Sequence, residues 1–158
     1  MFYSGILGLH SLLRWAIIIL LLINICNCIC NKKRPYSSKD RSWNLRLVII
    51  THINILVGLY QYFFGGKGFF YITEYGMGYV MKNSVMRFWA VEHITGMLIA
   101  VVLITVTSSI SKKPSNDDVK KHNKLAWFYL AALIVIIGVV PWPFRHSLGD
   151  IPLFRSLY

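Results

Sequence analysis

The stretch ILGLHSLLRWAIIILLLINICNCIC, Ile6–Cys30, decides the fold class. Its apolar run is broken by His10, Arg14, Asn24 and Asn27, and it is long enough to cross a hydrocarbon core, which takes roughly 20 helical residues. It lacks a basic leader and an A-x-A-like cleavage site, so it reads as a retained helix rather than a signal peptide. Further runs follow at Leu45–Phe64, Phe88–Ile110 and Leu125–Val140. With 56% hydrophobic residues and a mean hydropathy of +0.54, the chain is too apolar for a soluble domain of this size.

The pattern predicts an all-α integral membrane protein: a four-helix antiparallel bundle forming a single transmembrane domain over 1–158. Helices are expected at about 4–31, 43–64, 84–111 and 118–140, with an external loop at 65–83. That loop mixes Gly65, Gly66, Gly68, Gly76 and Gly78 with Phe69, Phe70, Tyr71, Tyr75 and Tyr79. It reads as an aromatic-belt loop in preference to a short interfacial or re-entrant helix. Pro141-Trp142-Pro143 should end the last helix abruptly.

The net charge of +11 has a juxtamembrane explanation. Lys32, Lys33, Arg34, Lys39, Arg41, Arg46, Lys112, Lys113, Lys120, Lys121 and Lys124 fall on one side of the membrane; Lys67, Lys82, Arg87, Arg145 and Arg155 fall on the other. The positive-inside rule puts the first group in the cytoplasm and both termini on the periplasmic side of a bacterial inner membrane. The basic loops face the lipid bilayer and its anionic headgroups, with no nucleic-acid partner implied. Gly65-Gly66-Lys67-Gly68 lacks P-loop spacing. Cys26, Cys28 and Cys30 alternate along one helix and cannot all face one metal, so they read as small thiols in a reducing compartment.

Each span carries one histidine: His10, His52, His93 and His122. A histidine inside a span is costly and marks a candidate site. His10 and His93 both lie about 9 Å below the outer surface, on helices expected to be diagonal partners. Two imidazoles at matched depth suit the axial positions of a b-type haem. Arg14 shares a face with His10, where it would neutralise a propionate or pair with Glu92. His52 and His122 would form an inner pair for a second haem; the alternative is that each is an interfacial residue. His146 lies beyond the prolines and is unassigned.

The strings His10-Ser-Leu-Leu-Arg14, Thr51-His52, Arg87-Phe-Trp-Ala-Val-Glu-His93 and Pro141-Trp-Pro-Phe-Arg145 resemble those of small bacterial four-helix membrane proteins often labelled cytochrome b-like. The resemblance implies haem b, one group or two, and electron transport, with other membrane or periplasmic redox proteins or a quinol as partners. The chain would then be an electron-transfer component of an oxidoreductase and not itself a hydrolase or nucleotide enzyme. The architecture is also similar to that of larger diheme cytochromes, although their extra helices and a C-x-x-C-H attachment motif are absent. The competing expectation is a non-haem structural or accessory subunit of a larger membrane complex, and a third is a proton or metal path through Glu92 and His93.

The charge bias yields a direct test. In a background with Cys26, Cys28 and Cys30 replaced by serine, Ser38→Cys should resist an impermeant thiol reagent applied to intact cells. Ready labelling would reverse the orientation.

Overall fold

The computed structural model describes residues 2–142, so Pro143, Arg145, His146 and Arg155 lie outside the described residues. Those described are helical throughout, without strands: α1 (Phe2–Cys30), α2 (Ser38–Phe64), α3 (Phe69–Tyr75), α4 (Met77–Lys82), α5 (Ser84–Arg87), a π-helical turn (Phe88–Glu92), α6 (His93–Lys112) and α7 (Asp118–Val139). Four helical stretches are long and apolar enough to span a membrane: Tyr3–Cys30, Ser38–Tyr75, Ser84–Lys112 and Asp118–Val139. The expected loop at 65–83 is instead largely helical. Gly68 at φ +69° and Gly76 at φ +76° supply the left-handed turns that separate its short helices, a conformation glycine adopts without a Cβ penalty.

The long helices contact one another in the cyclic order α1–α2–α6–α7, so α1 faces α6 and α2 faces α7 across the interior. Gln61 near the end of α2 donates to the Ile6 carbonyl at 3.1 Å, while Asn24 near the end of α1 donates to the Trp43 carbonyl at 3.4 Å. The end of each helix therefore meets the start of the other. Ile17, Leu21, Leu47, Ile104, Leu125 and Ile136 are buried between them. Leu12, Ile19, Leu56, Val102, Trp127 and Ile134 point outward and are mostly exposed. Such an apolar exterior suits lipid contact and would be an aggregation hazard in water.

Polar contacts fix the helices at defined points. Ser37 caps α2 in a capping box: its hydroxyl accepts from the Asp40 amide, and Asp40 accepts from the Ser37 amide at 2.8 Å. Arg34 closes the turn with two bonds to the Asp40 carboxylate, at 2.6 and 2.7 Å. This pairing raises the Arg34 pKa above its ordinary value. Deeper in, the Asn44 side-chain amide donates to Thr107 Oγ1 and to the Tyr129 hydroxyl, each at 2.6 Å, joining α2, α6 and α7. These bonds are made where water is scarce, and interhelical bonds of this kind contribute about 1–2 kcal/mol at most.

Asn44→Leu should therefore lower the thermal unfolding temperature in detergent, with a loss on the order of 1–2 kcal/mol. An unchanged midpoint would mean that the three-helix junction contributes nothing to stability.

Candidate cofactor cavity

The end of α7 gives the site its first fixed point. In an α-helix a carbonyl accepts from the amide four residues on. For Ile137 and Val139 those residues are Pro141 and Pro143, which carry no N–H. Both carbonyls are taken by side chains. The Trp142 indole donates to the Ile137 carbonyl at 2.8 Å, and His93 Nδ1 lies 2.8 Å from the Val139 carbonyl. A carbonyl only accepts, so Nδ1 carries the proton and Nε2 keeps its lone pair. Gly96, one turn along α6, lets this contact form, because a Cβ there would collide with the Val139 side chain.

His93 begins α6 directly after the π-helical turn, whose amide bond runs from His93 back to the Phe88 carbonyl. Single π turns often occur at functional sites. Tyr62 holds this one by donating to the Ala90 carbonyl at 3.0 Å. Trp89 and His93 then lie with their ring centres 5.9 Å apart, and both line one cavity.

The same cavity, about 320 Å³, is walled on the opposite side by His10 and Arg14 of α1. Gly58 of α2 makes room for the His10 ring, since a Cβ there would sit 3.1 Å from its Cε1. Thr51 and Asn54 form the floor on α2, and Lys67 and Trp89 stand near the mouth. His10 Nδ1, Thr51 Oγ1, Asn54 Oδ1 and Trp89 Nε1 are buried without a hydrogen-bond partner among the described residues. Buried polar atoms are normally satisfied, so a cluster of unsatisfied ones around a cavity calls for a polar occupant or ordered water.

His10, His93 and Arg14 all line this one cavity. The Arg14–Glu92 pair is not formed. Glu92 accepts from Arg87 Nε at 2.7 Å across the π turn and is half-exposed. Arg14 donates to Ser11 Oγ at 3.1 Å and lies 5.6 Å from the Trp15 ring.

The inner histidines are not brought together. His52 Nδ1 lies 2.7 Å from the Val48 carbonyl, and its Nε2 lies 3.4 Å from Thr105 Oγ1. The Asn44–Tyr129 bond marks a common level on α2 and α7. From that level His52 lies eight residues toward Gly65 and His122 lies seven residues toward Asp118, an axial separation on the order of 22 Å. Two nitrogens on one metal must come within about 4 Å of each other. The expected inner ligand pair therefore fails on geometry. His122 is no interfacial residue either. It is 0% exposed and packs on Tyr36 at 5.3 Å between ring centres. Tyr36 in turn bonds Ser111 Oγ at 2.8 Å, and burial pushes its hydroxyl pKa up to about 12.

Among the described residues, no three His, Cys, Asp or Glu side chains converge as an all-protein metal site would require. Haem needs only two axial ligands from the protein. Two imidazoles facing one cavity, with small residues beside them and unsatisfied polar atoms around its wall, fit that group. The chain matches no protein-family profile, no curated protein and no solved structure.

The proline-freed carbonyl makes a definite prediction for His93. Nitrogen NMR of ¹⁵N-histidine-labelled protein should find the Nδ1–H tautomer with slow solvent exchange. A dominant Nε2–H form would contradict the Val139 contact.

Proposed function

We propose that this chain is a b-type haem protein of the bacterial inner membrane that carries electrons along the periplasmic face. In this reading it is an antiparallel four-helix bundle with both termini outside and one haem held between His10 and His93. One observation carries it: imidazoles on facing helices line a single cavity, and one has its remaining nitrogen fixed by a backbone carbonyl. A hydrogen bond from the other ring nitrogen of that kind orients a metal-bound histidine and raises its basicity. When bound, the haem supplies one-electron redox chemistry.

The chain's own part is to bind, orient and exclude water. Gly58 and Gly96 set the positions of the two rings. His10 and His93 would hold the group between them, and two imidazoles from the protein would suit electron transfer over substrate binding. Below the cavity, Leu21, Leu47, Ile104 and Leu133 close the interior with an apolar layer. That layer and the separation of His52 from His122 favour transfer along one surface over transfer across the bilayer. The partner would be a quinol or a periplasmic redox protein reaching the cavity mouth.

Purified protein, supplied with haemin and reduced, should show a low-spin b-type spectrum with a haem-to-protein ratio near one. His10→Ala and His93→Ala should each abolish that spectrum, while His52→Ala and His122→Ala should keep it. Gly58→Val, which drives a branched side chain into the His10 ring, should cut haem occupancy severalfold. No haem absorbance in the wild type would favour the accessory-subunit reading. A ratio near two would restore a transmembrane path.

A further inference from the structure

The two imidazoles that line the cavity differ in how their Nδ1 atoms are held. His93 Nδ1 has the Val139 carbonyl. His10 Nδ1 is buried without a partner among the described residues. Its surroundings show where a partner stands. A Cβ on Gly58 would sit 3.1 Å from Cε1 of this ring and 3.6 Å from Nδ1, so that edge of the imidazole faces α2. Asn54 lies one turn before Gly58, on the same face of α2. It is 3% exposed, and its Oδ1 is also buried without a partner among the described residues. Its side chain and its backbone both act on the His10 ring.

An imidazole nitrogen that carries hydrogen donates, and a carboxamide oxygen only accepts. One buried contact between α1 and α2 therefore holds an unmatched acceptor and a nitrogen able to match it. Leaving both unmet is costly where water is scarce, and pairing them removes both costs. The pairing also decides the tautomer of the ring. A proton on Nδ1 leaves the lone pair on Nε2, as at His93. The opposite tautomer would leave the Asn54 oxygen without a donor.

We propose that Asn54 is the positioning residue of His10: its side-chain oxygen accepts from Nδ1–H, fixes the tautomer and leaves Nε2 to bind a metal. The inference rests on the haem reading and deepens it. Each ring then has its own acceptor, a backbone carbonyl for His93 and a carboxamide for His10. Substitution cannot remove a backbone carbonyl. Asn54 is therefore where the sequence sets ligand basicity, and with it the reduction potential.

Two readouts on the full-length protein in detergent test this. In ¹⁵N-histidine spectra recorded without cofactor, His10, assigned by its loss in His10→Gln, should be the Nδ1–H tautomer. Asn54→Asp should keep that form, and Asn54→Leu should lose it to a mixture of tautomers. With haemin bound, Asn54→Asp should shift the midpoint potential down, because a charged acceptor makes the imidazole more basic and favours ferric iron. Asn54→Leu should shift it up. A packing role alone would not move the two in opposite directions. An Nε2–H form of His10 in the wild type overturns the proposal, as does an unchanged tautomer in Asn54→Leu. So does a midpoint that is the same in wild type and Asn54→Asp, and this comparison decides the matter if Asn54→Leu does not fold. Absence of low-spin haem in the wild type overturns the haem reading. In that event the tautomer spectra decide the Asn54 bond by themselves: dependence on Asn54 supports it, and independence overturns it.

Discussion

Inside a bilayer a backbone carbonyl that loses its helical donor has no water to replace it. The proline residues after α7 remove two such donors, and the protein answers with an indole and an imidazole. This single requirement ties the end of α7 to the start of α6. It also fixes the proton of His93 on Nδ1 and leaves the other nitrogen with its lone pair. The cavity depends on that contact because His93 is one of its walls, and Gly96 has no side chain so that the two helices can approach.

The interior is divided by polarity along its length. Its outer half holds the cavity, with Arg14, Thr51 and Asn54 around it. The middle is closed by leucine and isoleucine side chains. Beyond them lies a second polar set, in which Asn44 joins Thr107 to Tyr129 and Tyr36 meets Ser111 and His122. In the inner set Asn44, Thr107, Tyr129, Tyr36 and Ser111 satisfy one another, while both ring nitrogens of His122 stay unmatched among the described residues; the outer set leaves several atoms unmatched as well. Satisfied polar groups specify how helices register. Unmatched ones around a space are better explained by something that enters it.

Much of this was legible in the chain itself. Apolar block length marked the four helical stretches long and apolar enough to span a membrane, and His10 and His93 line one cavity. Other features lay beyond that kind of reading. Arg14 and Glu92 stand in the outer part of the same region, but side-chain direction depends on the π turn, which no periodicity announced; it sends Glu92 outward to Arg87. His122 sits among lysines in the sequence, yet Tyr36, in the connection between α1 and α2, packs against its ring. The inner loop was read as positive charge alone, although Ser37-x-x-Asp40 is a capping signal and Arg34 pairs with its carboxylate. Lys67 was read as one of the outer-side charges and as part of a failed nucleotide motif, and its place over Trp89 required the fold of the glycine turn.

The π turn at Phe88–Glu92 has a mechanical consequence as well. Its extra residue offsets everything before it by roughly 100° relative to a continuous α-helix. The short helices α3–α5 and helix α6 are thereby set in different rotational phases. A turn of this kind acts like a spline joint: one residue gained or lost ahead of it changes which face the preceding segment presents, while the Val139 contact holds the phase of His93. A change of length in the segment before the turn therefore leaves the face of α6 that carries His93 where it is.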